Sequence, residues 1–272
     1  MPALYIVATP IGNLEDITLR AIDTLRDVKL IAAEDTRTTR KLLAAYQIKT
    51  PVTSYHEHNK LRKLNYLIGR LEIEDVALVS DAGMPGISDP GYELIGAAVE
   101  HRISVVPIPG PSVIITALAV SGLPATTFSF LGFLPHKAGD RKRFLMSVAK
   151  ERKTLVMFES PHRLATSLDE ILNVLGDRKI SVCRELTKLH EEVFRGRVSQ
   201  AREHFKTPRG EFCIIIEGAA EKVQPAMTDK LRRKLRNLRR YGMSAKDAVS
   251  QVAAETGMSK KELYQTWIKI QE

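Results

Sequence analysis

The first half of the chain alternates short apolar runs with amphipathic segments. The amphipathic segments carry apolar residues every three or four positions, for example at Leu64, Leu67 and Leu71, which is typical of helices with one buried face. The apolar runs have the length of buried strands, and they lie at residues 4–8, 30–33, 51–55, 76–79 and 103–108. Strands that alternate with helices predict a mainly parallel sheet.

The pattern changes after residue 112. Residues 113–120 predict a buried helix, residues 128–133 an edge or bulged strand, and residues 140–152 a cationic helix. Four more strands are predicted at residues 154–158, 180–184, 192–195 and 212–217. The last two strands are separated only by a short helix, so this half favours a mixed sheet.

The C-terminal residues predict a small helical domain behind a polar linker at residues 219–227. Its first helix carries arginines around a stripe of leucines. Ser244 and Ser259 have the sequence context of helix N-caps, and Gly257 that of a helix stop. Two short helices around Gly257 resemble a helix-turn-helix.

Together these patterns predict an α/β protein with two α/β domains, a ligand cleft between them, and a C-terminal helical domain. The expected domains are residues 1–115, 116–222 and 226–272.

Charge is distributed unevenly along the 272 residues. The formal net charge is +9, and residues 226–272 hold eleven Lys and Arg against five Asp and Glu. This surplus predicts a phosphate-bearing partner for the C-terminal domain.

Composition also favours a cytoplasmic protein. No apolar run reaches the roughly 18 residues of a membrane span, and the N-terminus lacks signal-peptide features. Cys183 and Cys213 lie in apolar runs and are expected to be reduced core thiols.

Two stiff loops follow predicted strands. Residues 80–91 (SDAGMPGISDPG) contain three glycines and two prolines, and residues 107–112 (PIPGPS) have a similar composition. Such loops at the carboxyl ends of strands are typical of ligand sites in open α/β sheets. We therefore expect one ligand between them.

The chemistry of the neighbouring loops narrows the ligand class. The chain has no GxGxxG motif after its first strand, no phosphate-binding GxxxxGK[ST] loop and no GxSxG nucleophile elbow. His56 and His58 lack a third metal ligand, so no metal is expected. Carboxylates follow several strands, at Glu34, Asp35, Asp81, Asp89 and Glu159. They favour a small cationic or zwitterionic ligand.

Seven ordered motifs resemble one family. They are TPIGNLEDIT (9–18), AEDTR (33–37), SDAGMPGISDPG (80–91), PGPS (109–112), FESPHR (158–163), RELTK (184–188) and RGEF (209–212). The chain resembles the bacterial 16S ribosomal RNA cytidine 2′-O-methyltransferases, a branch of the tetrapyrrole-methylase superfamily. It departs from the family pattern at Met84, where threonine is expected, and at Lys60, where an acidic residue is expected.

The resemblance implies a fold of tetrapyrrole-methylase type, S-adenosylmethionine as cofactor, a homodimer, and small-subunit RNA as partner. It implies cofactor contacts at Pro10, Asp81, Gly83, Met84, Pro85, Ser88, Asp89, Ser112, Val113, Phe158, Cys183, Gly210 and Glu211.

The implied reaction is in-line methyl transfer to a ribose 2′-hydroxyl. This hydroxyl is a poor nucleophile until its proton leaves, so a base is expected. The candidate catalytic residues are Asp35, Glu159 and Glu185, with Arg37 near the phosphate. The expected RNA contacts are Arg141, Lys142, Arg143, Arg163, Arg232, Arg233, Arg236, Arg239 and Arg240.

Two alternatives use the same scaffold. One is a precorrin-type tetrapyrrole C-methyltransferase, and the other is a ribosome-binding factor without catalysis. The arginine-rich C-terminus and the TPIGNL and AEDTR motifs argue against the tetrapyrrole methyltransferase, and the retained cofactor loops argue against the non-catalytic factor.

Overall fold

Five parallel strands form the first sheet, in the order β3-β2-β4-β1-β5. The structure is a computed structural model that describes residues 2–220 and 227–270. The strands are β1 (Ala3–Val7), β2 (Leu30–Ala33), β3 (Val52–Ser54), β4 (Val76–Val79) and β5 (Ser104–Ile108). The connecting helices are α1 (Leu19–Asp27), α2 (Thr36–Ala45), α3 (Lys60–Leu71) and α4 (Tyr92–Glu100).

Helices cover both faces of this sheet. Val7 packs in one apolar cluster with α1 and α2, whereas Leu4 and Ile6 pack in another with α3 and α4. Alternate residues of each strand thus enter different cores, which is why the strands are apolar without interruption. β1 and β4 are neighbours in the sheet. The next strand after β1 is β2, on one side of this pair, and the next strand after β4 is β5, on the other side. Open α/β sheets bind ligands at such a switch point.

The second sheet is mixed, with the order β6-β7-β10-β8-β9. Its strands are β6 (Phe128–Phe133), β7 (Thr154–Glu159), β8 (Lys179–Arg184), β9 (Glu192–Arg197) and β10 (Phe212–Ile216). β6 and β7 are parallel, whereas the other three neighbouring pairs are antiparallel. The predicted mixed sheet and bulged edge strand are therefore confirmed.

Three helices cover one face of the second sheet: α6 (Ala138–Val148), α7 (Pro161–Leu175) and α8 (Val198–His204). α6 begins two residues before its predicted start, so that Asp140 lies in its first turn, and it ends before Lys150. An acidic residue in a first turn is favourable because it opposes the positive end of the helix dipole.

Helix α5 (Val113–Ser121) leads from the first sheet to the second. Its Ala117 and Leu118 pack on the other face of the second sheet, against Val156 and Ile215. The expected boundary at residue 115 falls inside this helix, between the last strand of one sheet and the first strand of the next.

Residues beyond 219 form a separate unit, and most of the predicted linker lies outside the described residues. This unit contains α9 (Asp229–Arg240), α10 (Ala245–Thr256) and α11 (Lys260–Lys269) around a core that includes Leu235, Leu263 and Trp267. The hydroxyls of Ser244 and Ser259 accept backbone N–H groups at the starts of α10 and α11. In the described ranges no helix is both long and apolar enough to cross a membrane.

Candidate active site

The loops after β1 and β4 are joined by a short backbone bridge. The amide of Thr9 donates to the carbonyl of Gly83 at 2.9 Å, and the amide of Gly83 donates back at 3.0 Å. The Thr9 hydroxyl also donates to the carbonyl of Ser80. Gly83 has φ of +81°, a backbone conformation that side chains disfavour, so the bridge depends on glycine here.

Two further glycines bring the ends of the loop at residues 80–91 together. Gly86 and Gly91 have φ of +84° and +153°. A Cβ atom on Gly91 would lie 3.1 Å from the backbone of Gly86, so a side chain would force the loop apart. The glycines thus give a compact loop directly before α4.

These loops form one side of a cavity of about 430 Å³, and the second sheet forms the other. The first side consists of Ile11, Glu34, Asp81, Ala82, Gly83, Met84, Ile87, Ser88, Asp89, Ser112, Val113 and Ile114. The second consists of Phe133, Phe158, Glu159, Ser160, Pro161, Cys183, Glu185, Leu186, Lys188, Glu211, Phe212 and Cys213. The cavity is largely apolar, with carboxylates at both sides.

Three carboxylates on the first side have no cationic partner within hydrogen-bonding distance among the described residues: Glu34, Asp81 and Asp89. The Glu34 carboxylate accepts the Asp81 amide at 3.3 Å, and the Asp81 carboxylate accepts the Asp35 amide at 3.1 Å. Burial raises the pKa of all three carboxyl groups, and repulsion among neighbouring carboxylates adds to the effect. A bound cation would relieve this repulsion, so the arrangement favours a positively charged ligand.

Asp35 and Arg37, in contrast, form an ion pair at the start of α2. The Asp35 carboxylate accepts the Arg37 amide at 2.7 Å and its guanidinium at 2.6 Å. The Arg37 guanidinium lowers the pKa of Asp35 to about 2. Neither residue lines the cavity. Asp35 is an N-cap for α2, and its carboxylate is a poor proton acceptor.

Glu159 is buried on the second side of the cavity. One carboxylate oxygen accepts the Ser160 amide at 2.9 Å. The other accepts the Ser167 hydroxyl at 2.5 Å and lies 3.4 Å from Arg163. The carboxylate is therefore held by several protein groups.

Glu185 is also held by its neighbours, and it lies at a backbone φ of +48°. Its carboxylate accepts the Glu211 amide at 2.8 Å and the Lys188 ammonium at 3.0 Å. Burial raises its pKa, but these two contacts outweigh burial and the net pKa is lowered. A Cβ atom on Gly210 would lie 2.5 Å from the Glu185 side chain. Gly210 thus leaves the room that this carboxylate occupies.

Comparison with known proteins connects this geometry with methyltransferases. The profile of the tetrapyrrole (corrin/porphyrin) methylases matches residues 3–202, and that of the RsmI C-terminal HTH domain matches residues 225–270. The ribosomal RNA small subunit methyltransferase I of Halalkalibacterium halodurans is 48% identical over 96% of this chain and 93% of its own. That of Synechocystis is 46% identical over 100% of this chain and 99% of its own. The chain belongs to the ribosomal RNA small subunit methyltransferase I family.

Solved structures share the fold of this family member at lower identity. Diphthine synthase superposes with a TM-score of 0.61 at 13% identity, covering 79% of this chain and 90% of its own. The uroporphyrin-III C-methyltransferase of Thermus thermophilus superposes with a TM-score of 0.58 at 20% identity, covering 80% and 94%. The two-sheet architecture is thus a tetrapyrrole-methylase fold, as expected from the motifs.

Ten of the thirteen residues expected at the cofactor line the cavity of this family member. Pro10, Pro85 and Gly210 do not. Met84, one of the two departures from the family pattern, lines the cavity and packs against the apolar core of the first sheet. Lys60, the other departure, forms ion pairs with Glu57 and Glu93.

Sequence reasoning missed several cavity residues. Phe133, Lys188 and Cys213 all line it, although none belonged to the expected site. Cys213 lies opposite Cys183 in the register of β10 and β8, so the two side chains share one face of the sheet. Pairing of these two strands could therefore have predicted Cys213 from Cys183. Burial raises the pKa of Cys183 to about 11 and raises that of Cys213 further, which keeps both thiols neutral.

The arginines expected to contact RNA fall into two groups. Arg141 is 5% exposed and its guanidinium donates to Glu170. One terminal nitrogen of Arg163 donates to the carbonyls of Leu134 and Pro135, and its Nε is buried without a partner among the described residues. Contrary to expectation, Arg141 and Arg163 are therefore not freely exposed for contact with RNA phosphates. Lys142, Arg143 and four arginines of α9 are exposed: Arg232, Arg233, Arg236 and Arg240.

Arg239 has a structural role within its unit. Although it is exposed in part, its guanidinium donates to the carbonyls of Trp267 and Ile270 at 3.1 and 2.7 Å. It also lies 5.8 Å from the centre of the Trp267 ring, a cation–π distance. Arg239 therefore connects α9 with the end of α11.

Proposed function

We propose that this chain transfers a methyl group from S-adenosylmethionine to the 2′-oxygen of a cytidine in the 16S RNA of the small ribosomal subunit. One observation carries the proposal: a cavity with three carboxylates lacking a close cationic partner among the described residues, in a chain closely similar to ribosomal RNA methyltransferases. The proposal includes a cytoplasmic location and a homodimer, as the resemblance implies.

The residues of the cavity fit S-adenosylmethionine. This molecule carries a sulfonium, an ammonium group and a carboxylate, together with ribose hydroxyls and an apolar adenine face. Asp81 and Asp89 match the positive groups and the hydroxyls, because both line the cavity and neither has a cationic partner within hydrogen-bonding distance among the described residues. The apolar wall at Phe158 and Cys183 suits the adenine.

The chain's main contribution would be to align the reactants and to exclude water. When bound, S-adenosylmethionine supplies an electrophilic methyl group that needs no further activation. The glycine-dependent bridge between Thr9 and Gly83 fixes one side of the cavity before any ligand arrives. A preorganised, largely apolar site of this kind supports in-line displacement because little reorganisation remains.

The proton of the 2′-hydroxyl needs an acceptor, and we propose Glu34. Among the earlier candidates, Asp35 and Glu185 have lowered pKa values. The Glu159 carboxylate accepts hydrogen bonds from Ser160 and Ser167 and lies 3.4 Å from the Arg163 guanidinium. Glu34, in contrast, accepts only the Asp81 amide at 3.3 Å among the described residues. Glu34 lines the cavity, has no cationic partner within reach among the described residues, and has a raised pKa. A carboxylate with a raised pKa holds a proton better than an ordinary one.

A kinetic comparison tests this assignment. We expect Glu34→Gln to lower kcat by about 100-fold, with a smaller effect on cofactor affinity, and Glu34→Asp to retain part of the activity. Asp35→Asn provides the matched control in the neighbouring position. An unchanged kcat in Glu34→Gln, or an equal loss in both variants, would contradict the role of Glu34.

The exposed arginines of α9 support RNA as the substrate. Arg233, Arg236 and Arg240 form no ion pair among the residues that the structure describes, and Arg232 approaches Asp229 only at 3.8 Å. Exposed guanidinium groups on one short helix suit the phosphates of RNA, and their contribution to binding should decline as salt rises.

The decisive experiment measures methyl transfer to RNA. The protein is incubated with tritium-labelled S-adenosylmethionine and small ribosomal subunits from cells that lack this gene, and the RNA is then hydrolysed in alkali. We expect the label in one alkali-resistant dinucleotide with a 5′ cytidine, because a 2′-O-methyl group blocks hydrolysis. Subunits from cells that retain the gene are the control, and they should accept little label.

Other outcomes would favour the alternatives. Label on a base would contradict ribose methylation. Transfer to uroporphyrinogen or a precorrin, but not to RNA, would favour a tetrapyrrole methyltransferase. Ribosome binding without transfer to any substrate would favour a non-catalytic factor.

A further inference from the structure

Phe133 is an exposed aromatic residue at the cavity. Its side chain is 58% exposed, although it lines the cavity together with Phe158. The Phe133 and Phe158 rings meet edge to face with their centres 5.5 Å apart. Phe158 in turn meets Phe130 at 5.1 Å. The three rings of Phe130, Phe158 and Phe133 therefore contact one another in series, and the last of them, Phe133, remains largely exposed.

A β-bulge directs Phe133 towards the cavity. In the register of β6 and β7, Phe130 lies opposite Val156 and Phe133 lies opposite Phe158, so β6 has one extra residue. Regular alternation would place Phe133 on the face of Leu131, which packs against the helix-covered core. The bulge, with Gly132 at φ of +64°, moves Phe133 to the cavity face instead.

The segment after Phe133 is held rigidly by two arginines. Arg163 donates to the carbonyls of Leu134 and Pro135 at 2.5 and 3.1 Å. Arg141 donates to the carbonyls of Pro135 and His136 at 3.2 and 3.0 Å. These bonds fix the backbone beside an open ring, and an exposed ring in a fixed position is suited to stacking.

Positive charge follows the ring along the chain. Lys137 and Lys142 are exposed, and neither forms an ion pair within the described ranges. An aromatic face with nearby cations is the combination that binds single-stranded nucleic acids, because bases stack on the ring and phosphates meet the cations. A purely apolar ligand, in contrast, would form no electrostatic interaction with these lysines.

We propose that Phe133 is the platform on which the target cytosine stacks while its ribose enters the cavity. This inference rests on the proposed function, and it assigns a base-binding role to a residue on the second sheet. The acidic side of the cavity would hold the methyl donor, and the Phe133 side would hold the RNA base. Arg141 and Arg163 would then support RNA binding indirectly, by positioning the segment that follows the platform.

The test separates RNA binding from cofactor binding. Phe133→Ala, Phe133→Trp and wild type are compared for KM and kcat on small subunits that lack the methyl group, and for cofactor affinity by calorimetry. We expect Phe133→Ala to raise KM for the subunits by about 10- to 100-fold, and Phe133→Trp to have a KM close to that of wild type. Cofactor affinity should be unchanged in both variants. Met146→Ala, a similarly exposed apolar residue on α6, is the control.

Three results would overturn the inference. They are an unchanged KM in Phe133→Ala, a loss of cofactor affinity, which would place the ring against the methyl donor, and a change in sedimentation, which would place it in a contact between copies. Wild-type transfer to the subunits is measured in the same series. Its absence would refute the proposed function, whereas wild-type transfer with a normal Phe133→Ala variant would refute only the platform.

Discussion

The charged side chains that line the cavity are mainly acidic and those of helix α9 mainly basic, and the two regions hold these charges differently. Three carboxylates line the cavity beside apolar walls: Glu34 and Asp89 are half-buried and Asp81 is exposed, and partial desolvation raises the pKa of each. Helix α9 exposes its arginines to solvent along one face. Carboxylates at the wall of a cavity, with no close cationic partner among the described residues, suit one small cation, whereas charge along an exposed helix suits an extended polyanion held by many weak contacts.

Paired charges in the same molecule provide the contrast. Arg141 with Glu170, Arg37 with Asp35, and Lys188 with Glu185 all satisfy each other within the protein. In sequence these residues are as suggestive as the others. We therefore use the absence of a close protein partner, rather than charge itself, to select the groups that we propose to bind ligands.

The largest expected effect concerns a paired charge. Arg141→Ala leaves Glu170 without its partner and the carbonyls of Pro135 and His136 without a donor. We expect the free energy of unfolding to fall by about 3 kcal/mol, as for other broken buried ion pairs. Urea unfolding followed by circular dichroism measures the change. Lys142→Ala, its exposed neighbour, should change stability by less than about 0.5 kcal/mol. Equal effects would contradict the structural role of Arg141.

A smaller loss is expected where a glycine makes room for a paired carboxylate. Gly210→Ala places a methyl group against Glu185 at a φ of +89°, so we expect a loss of about 1–3 kcal/mol. The same substitution at Gly96, which lies inside α4 with no atom within 4 Å of the added Cβ, should stabilise the protein by up to about 1 kcal/mol. Thermal unfolding of both variants gives the comparison, and a harmless Gly210→Ala would show that Glu185 can move freely.

The exposed arginines should affect binding and leave stability unchanged. We expect each substitution Arg233→Gln, Arg236→Gln and Arg240→Gln to reduce the slope of log affinity against log salt by about 0.7–0.9, if each guanidinium meets one phosphate. Filter binding to small-subunit RNA at several salt concentrations measures the slope. Arg20→Gln, an exposed arginine on α1, is the control. A uniform slope across all variants would exclude α9 from the RNA contact.

The smallest expected effect is the release of protons when the cofactor binds. Because burial raises the pKa values of Asp81 and Asp89 in the free protein, a bound cation should lower them and release protons. Cofactor affinity should therefore weaken as pH falls through the range just above the ordinary aspartic acid value of 3.8. Calorimetry in buffers of different ionisation enthalpy measures this release. Proton uptake on binding would have the wrong sign for a cation in this cavity.

Local patterns were sufficient to predict most of the fold. The caps at Ser244 and Ser259 and the stop at Gly257 all occur as expected, because each is decided by residues a few positions apart. The glycine loop was predictable for the same reason, since its backbone conformation needs glycine at fixed positions.

The partners of charged side chains could not be predicted in this way. Arg141 lies 29 positions before Glu170 in the chain, and Gly210 lies 25 positions after Glu185, so only the packed structure brings them together. Phe133 is an intermediate case. Gly132 in an apolar run indicates a bulge, but the face to which the next residue turns depends on the register with β7.

One measurement tests the central claim that the carboxylates of the cavity bind a sulfonium-bearing cofactor. S-adenosylmethionine and S-adenosylhomocysteine, which keeps the amino-acid group but has an uncharged thioether sulfur, are titrated into wild type and the double variant Asp81→Asn, Asp89→Asn by calorimetry. Our account predicts that wild type binds both and that the variant loses more affinity for S-adenosylmethionine than for S-adenosylhomocysteine, by about 10-fold or more. A wild type that binds neither molecule, or an equal loss for both, would contradict it.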